Sequence, residues 1–309
     1  MHIFKFTAFA SVFVYALLID WTLLMIQLAI LAVYYVFSWI ISKKHFTSIR
    51  KKTSLATWNS PGDPSVFNNL EVDASLLDAF IEKYNSSNPD SKISYTHLGL
   101  KAMGYALKSV KNLNSTIAFG NFVPIDDIDI SCLVDVGGVN LATMVVKKCD
   151  KSSVSEIKTQ MNGKVAAYKK KKDGDFNKQM SIINSFHSSI VGFLLEVSSF
   201  VSYAIGREIK VLRIKKNSFG TALFTNVSSM EIYNSFAPLV PFTKAMCVVL
   251  MCKPRMRAMV DENGSFVAKK IMNINVTFDH RYCDGVHASV IIKNMYYFFK
   301  NLDLLAQNK

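Results

Sequence analysis

The chain has 309 residues, of which half are hydrophobic and only 19% charged, and it carries a net charge of +13. That length allows a membrane anchor plus one large domain, or two small domains. The basic balance suits nucleic acid, an anionic membrane face or an anionic cofactor, but there is no zinc knuckle, RNP-type motif or base-reading basic helix, which argues against nucleic acid.

The apolar excess lies mostly at the start. From Phe6 to Ile41 the only formal charge is Asp20. Thr22–Ile41 is long enough to span a bilayer, which takes ~20 apolar residues, and Ile3–Ile19 is nearly as long. A single straight helix through both would overrun the hydrocarbon core and bury Asp20 at a cost. Either two spans form a tight hairpin with Asp20 and Trp21 at its tip, or one span follows an interfacial segment. Residues 1–42 therefore read as a transmembrane anchor, with bilayer contact across 3–41. Lys43, Lys44, Arg50, Lys51 and Lys52 follow, which puts the rest of the chain on the cytoplasmic or an equivalent side. Residues 43–65, ending in "NSPGDP", read as a basic juxtamembrane linker.

Residues 66–309 read as one α/β domain. Val66, Leu70 and Val72 are strand-like. Ser75 and Asp78 fit a capping box ahead of a helix with Leu76, Leu77, Phe80 and Ile81 on its apolar face. A second helix starts near Ser94, with Leu98, Ala102, Tyr105 and Leu107 toward the core and with Gly99 and Gly104 weakening it. "DIDISCLVDVGGVNLATMVV" reads as a hairpin turning at Gly137-Gly138. The next helix is capped near Ser152 or Ser153 and ends in Lys169–Lys172, which is either a solvated helix end or a contact with anionic headgroups. Residues 178–212 are apolar and helix-length but broken by Glu196, serines and His187, and read as an amphipathic insertion lying on the membrane or on the domain. His187 there reads as an ordinary surface or core residue.

"KAMCVVLMC" suits a buried strand, and Asn263-Gly264 suits a hairpin turn. Met272, Ile274, Val276 and Phe278 alternate with Asn273, Asn275 and Thr277, which predicts a strand with one buried face. That strand runs into "DHRYCDG", and a closing helix follows Gly285. His280 suits a general base near neutral pH. Asp284 would brace the loop or hold an arginine, Gly285 would permit a backbone angle other residues resist, and Arg281 would pair with a carboxylate. Charge spacing alone also fits a solvated loop with local ion pairs. His287 reads as structural. The five cysteines form no CxxC pair, so they read as buried reduced thiols, and neither a disulfide framework nor a metal site is implied.

"DHRYCDG" resembles the His-x-x-x-Asp-Gly signature of the acyltransferase catalytic domain of 2-oxo acid dehydrogenase complexes. "FNNLEVDASLL", "ISYTHLGLKAMGYALKSVKNLNS", "DIDISCLVDVGGVNLATMVVKKCDKSSVSEI", "FGTALFTNVSSM" and "FAPLVP" resemble successive stretches of the same family. The resemblance implies a chloramphenicol acetyltransferase-like two-layer α/β sandwich with a mixed sheet, here behind a transmembrane anchor. It implies His280 as the base that deprotonates a thiol of coenzyme A or of a dihydrolipoyl group, Thr225 as the hydroxyl donor to the oxyanion, and Asp284 as the structural acid. Asp279, Arg281, Gly285 and Asn226 would support the site. It also implies a homotrimer with His280 and Thr225 supplied by different chains. Coenzyme A would be a substrate, with no metal and no lipoyl domain on this chain. Departures are Thr225 for the family's serine, Ser228 for a glycine, Met144 for a proline and the long insertion. The function implied is acyl transfer between coenzyme A and a thiol or other acceptor, a lipid or amphipathic one included. The alternative is a non-catalytic structural subunit of a membrane complex, such as a mitochondrial respiratory complex. The family's usual home implies mitochondria, where an inner-membrane protein with a hydrophobic start fits, and an endomembrane anchor is the other reading.

Overall fold

The computed structural model describes residues 13–15, 17–18, 21–44, 64–135, 141–169, 188–209, 214 and 216–305. Most of the linker, the Gly137-Gly138 turn, Lys170–Lys172, His187 and the ends of the insertion lie outside the described residues. In chain order the elements are α1 (Trp21–Lys44), β1 (Ser65–Asp73), α2 (Ala74–Ser87), α3 (Tyr95–Lys108), β2 (Ser115–Ala118), β3 (Asn121–Pro124), β4 (Ile130–Asp135), β5 (Leu141–Val146), α4 (Val154–Lys169), α5 (Ser188–Ser199) with a π-helical turn (Phe200–Ile205), β6 (Ala222–Asn226), β7 (Cys247–Met251), β8 (Arg255–Val260), β9 (Phe266–Asp279), α6 (Gly285–Lys300) and α7 (Leu302–Leu305).

Seven strands form one mixed sheet in the order β1-β9-β7-β6-β4-β5, with β8 joined to the first half of β9. β6 runs parallel to β4 and β7, and the other pairs are antiparallel. Leu70, Phe224, Met251 and Phe278 point to one face of the sheet and pack under α2, α3, α4 and α6 in a single apolar core. The α/β class with a mixed sheet is therefore observed. Among the described residues, no helix is long and apolar enough to cross a membrane, so the structure gives no support to the transmembrane anchor expected at residues 1–42.

Local chemistry accounts for the element ends. Asp73, rather than the expected Ser75–Asp78 box, caps α2, its carboxylate accepting from the Ser75 amide at 2.9 Å. Asp78 is drawn off by tertiary partners, Tyr95 and Lys270. Ser153 and Glu156 form the box at α4, with the Ser153 amide donating to Glu156 at 2.8 Å. Gly99 does not weaken α3 but admits its neighbours: a Cβ there would stand 2.5 Å from both Phe224 and Met251. All five cysteines are buried and none is in a disulfide. Burial alone pushes the Cys132 thiol up to about 12, leaving it inert as a nucleophile.

β9 departs from the expected single buried face. Met272, Ile274, Val276 and Phe278 are buried, but so are Asn273, Asn275 and Thr277. The segment after β6 lies across them. Asn273 donates to the Tyr233 carbonyl at 2.7 Å, Asn275 to the Ser235 carbonyl at 2.6 Å and Thr277 to the Ala237 carbonyl at 2.8 Å. Asn69 on β1 joins the row by donating to Asn275 at 2.6 Å. The polar half of the alternation is thus a ladder that fastens an irregular backbone to the sheet, and buried carbonyls need such partners.

At the start of α3 the Ser94 amide donates to His97 Nδ1 at 3.0 Å, so that nitrogen carries no proton. Burial, then the nearby charge of Lys158, pushes the His97 imidazole down to about 4. The unfolded chain binds this proton near pH 6.5, where the folded chain refuses it. The stability involved is complete above ~6.5 and is lost as the pH falls through about 4. His97→Gln keeps an acceptor in the same box without a titrating group. Urea unfolding at pH 7 and pH 5 is expected to show a smaller acid loss for the variant, and equal losses would exclude His97 as the sensor.

Candidate functional site

β9 ends at Asp279, and "HRYCDG" turns the chain into α6. The turn is tied at every polar residue around the histidine. The His280 amide donates to the Pro64 carbonyl at 2.8 Å, which stitches the loop to the residue entering β1. Arg281 clasps Asp279 with two nitrogens, Nε at 3.0 Å from Oδ1 and Nη2 at 2.6 Å from Oδ2. Because Asp279 is buried, this paired guanidinium neutralises a charge that would otherwise be costly. The expectation that Arg281 pairs with a carboxylate is met within its own turn.

Asp284 is the N-cap of α6, its Oδ1 accepting from the amides of Val286 at 3.0 Å and His287 at 3.1 Å. His287 Nδ1 stands 2.8 Å from the same oxygen, outside hydrogen-bond direction. Asp284 therefore braces the loop as the cap of α6. Gly285 needs no special backbone angle. It is the first residue of α6, is absent from the positive-φ glycines, and has open space where a Cβ would go.

Tyr282 was not singled out by the sequence reading. It is buried, its hydroxyl donates to the Lys244 carbonyl at 3.2 Å and accepts from the Ile117 amide at 3.2 Å, and its ring meets Phe122 edge-on at 5.6 Å. It fixes the motif to β2 and to the turn before β7. Lys244 was missed for the same reason, namely that its partners lie far away in sequence. It holds a left-handed backbone angle, φ 53°. Burial, then the neighbouring Arg281 charge, pushes its ammonium below the usual lysine range.

Lys244, Asp279 and Arg281 line one end of a cleft of about 430 Å³, whose other walls include Phe67, Phe236, Pro238, Leu239 and Pro241. His280 is not among the residues lining it. The cleft is a largely apolar slot whose charged lining is Lys244 and the Asp279–Arg281 pair, which suits an amphipathic ligand lying beside the motif.

Thr225 sits near the end of β6, opposite Leu250, which is opposite Asn275 on β9. His280 lies roughly 17 Å further along β9 and about two strand spacings, ~10 Å, across. One chain therefore cannot bring the two side chains together. Asn226 donates to Thr96 at 2.9 Å and accepts from the Ser228 amide at 2.8 Å, an Asx turn that sets the course of the chain after β6 with serine in place of glycine. Met144 is buried in the core, on the helix-covered face. At the other end of β6, Thr221 donates to buried Asn114 at 2.5 Å, and Gly220 has φ +68° and lies against the Asp129 backbone, so that a Cβ would stand 2.2 Å from the Asp129 carbonyl oxygen. Gly220→Ala is expected to cost at least about 2 kcal/mol, read as a lower midpoint in urea unfolding; an unchanged midpoint would mean that the β6 entry relaxes freely. Among the described residues, no three His, Cys, Asp or Glu side chains cluster to hold a metal.

The family described as "2-oxoacid dehydrogenases acyltransferase (catalytic domain)" matches residues 41–193 and 199–306. None of the curated proteins matches the chain. Among solved structures, a probable dihydrolipoamide acetyltransferase from Listeria monocytogenes 4b F2365 is similar at 16% identity and TM-score 0.57, covering 82% of this chain and 89% of that one. The cubic core of a pyruvate dehydrogenase multienzyme complex is similar at 16% identity and TM-score 0.59, covering 82% and 88%. The Azotobacter vinelandii dihydrolipoamide acetyltransferase is similar at 15% identity and TM-score 0.57, covering 79% and 84%. At these identities the structures establish the fold, and the family match extends over both the β9 motif and the Thr225 stretch.

Proposed function

The chain belongs to the 2-oxoacid dehydrogenase acyltransferase (catalytic domain) family, and from that premise we propose that it is a membrane-anchored acyltransferase moving an acyl group between coenzyme A and a thiol or other acceptor. His280 takes the proton from the attacking thiol, and the thiolate attacks the thioester carbonyl. The Thr225 hydroxyl donates a hydrogen bond to the oxyanion that forms, and collapse expels the second thiolate, which recovers the proton from His280. Asp279, Arg281, Asp284 and Tyr282 hold the loop so that the ring needs little reorganisation.

The observation that carries this reading is the tied turn. The Asp279–Arg281 clasp, the Asp284 cap and the Pro64 contact all fix the backbone on either side of one histidine. The separation of Thr225 and His280 within one chain supports a trimer whose sites lie between subunits. The anchor rests on the Thr22–Ile41 run and on the outward apolar side chains of α1, such as Met25, Ile30 and Val33. The domain then lies on the Lys/Arg-rich side of a mitochondrial inner membrane or an endomembrane.

The test uses the purified full chain in detergent, with coenzyme A binding by calorimetry and transfer from labelled acetyl-coenzyme A to dihydrolipoamide. Saturable binding with turnover is expected. A folded trimer that neither binds coenzyme A nor turns over would instead make the chain a structural subunit of a membrane complex.

A further inference from the structure

The end of α5 and the π-helical turn after it turn polar side chains inward and apolar ones outward. The side turned to the domain carries Ser198, Ser199, Ser202 and Tyr203, with Ser202 only 1% and Tyr203 4% exposed. The Tyr203 hydroxyl accepts from the Phe219 amide at 2.9 Å, so the inner face is held by polar contacts. The outer face carries Val197, Phe200 and Ile205, which are 40%, 49% and 49% exposed. A helix on a water-facing surface has the opposite arrangement.

This outer face is continuous with α1. The Phe200 ring meets Phe119 edge-on at 5.8 Å, and Phe119 meets Phe37 of α1 edge-on at 5.1 Å. Phe119 holds a left-handed angle, φ 49°, at the β2–β3 turn. That position favours Asn or Gly, so an aromatic ring is kept there at some conformational cost. Charges of both signs border the patch: Glu196, Arg207 and Glu208 are exposed, and the Lys216 side chain passes over Gly206, 3.6 Å from where a Cβ would stand. Two stretches far apart in sequence thus form one apolar surface with a charged rim.

We propose that this face is a second membrane contact: Val197, Phe200, Ile205 and Phe119 lie in the headgroup–acyl boundary of the bilayer, with Arg207 and Lys216 at anionic headgroups, and so hold the catalytic domain in one orientation on the membrane. The occupant is lipid because the patch joins a helix with no charged residue between Trp21 and Ile41, and because an apolar face rimmed by charges of both signs suits the headgroup boundary of a bilayer. The inference deepens the membrane reading and rests on it for the placement of α1.

The test uses the full chain in phosphatidylcholine–phosphatidylserine vesicles. Val197→Cys, Phe200→Cys and Ile205→Cys each introduce one exposed thiol beside five buried ones. An environment-sensitive dye on each is read for a blue shift and for quenching by lipids with a shallow nitroxide. Phe266→Cys, on the exposed β8–β9 hairpin, is the reference. The expected result is quenching several-fold stronger at all three α5 positions than at 266. Alkaline carbonate extraction of the same vesicles reads the anchor separately. Quenched α5 dyes on a chain that carbonate strips off would leave the proposal standing and remove the anchor. Water-exposed dyes on a chain that resists carbonate would overturn the proposal and keep the anchor. Dyes that are shielded but not quenched would mean that protein, such as a second copy, covers the face, which also overturns it. Equal quenching at 266 would overturn the single orientation.

Discussion

His280→Ala is expected to lower acyl transfer by about 10²–10⁴-fold, the usual range for removing a general base. The loss should fall on kcat, with coenzyme A binding close to wild type, because the ring acts on the proton rather than on the ligand's weight of contacts. The His280 contact to Pro64 is made by the backbone amide, and the Asp279–Arg281 clasp and Asp284 cap involve neighbouring side chains, so these ties survive the substitution. Thermal unfolding and oligomer size, read beside activity, separate loss of the base from loss of the fold. Turnover that survives the substitution in a folded trimer would remove His280 from the mechanism and leave the turn as a structural joint.

Thr225→Ala is expected to cost about 10²–10³-fold in kcat, the scale for losing one oxyanion donor, while Thr225→Ser restores most of it. The register of the sheet adds a sharper test. Thr225 lies in the row of Asn275, well short of the β9 end that bears His280. If each site takes its histidine from one chain and its hydroxyl from the next, two inactive variants can complement each other. Trimers reassembled from equal amounts of His280→Ala and Thr225→Ala chains should recover roughly a quarter of wild-type activity, since that share of head-to-tail interfaces joins two intact residues. Mixed trimers, verified by tags on each variant, that stay inactive would place both residues' roles within single chains or elsewhere.

The two experiments separate base from donor, and both depend on features of very different legibility. "DHRYCDG" could be read at once because its residues are neighbours in sequence. The β9 strand ahead of it was legible from the alternation of Met272, Ile274, Val276 and Phe278 with polar residues, a local property of a pleated strand. The Ser94 start of α3 and the Ser153 start of α4 were legible too, since a cap acts over three residues.

Other features depended on partners distant in sequence. Burial of Asn273, Asn275 and Thr277 was not readable, because it is caused by carbonyls about 40 residues earlier that hydrogen-bond across the sheet. Gly99 looked like a weak point until Phe224 and Met251 came to rest against it. Asp78 matched a cap pattern but was taken by Tyr95 and Lys270. Within the described part of residues 178–212, which face turns outward was decided by Tyr203 finding Phe219 and by Phe200 finding Phe119, partners that no local pattern announces. By itself, then, the sequence determined the class of the fold, the motif and the family, because those rest on local periodicity and adjacent residues. Only the tertiary structure decided that Asp284 is a cap, that Lys244 and Tyr282 lie against the motif, and that the His280 and Thr225 side chains stand too far apart to meet within one chain, because each of these depends on distances set by strand register and packing.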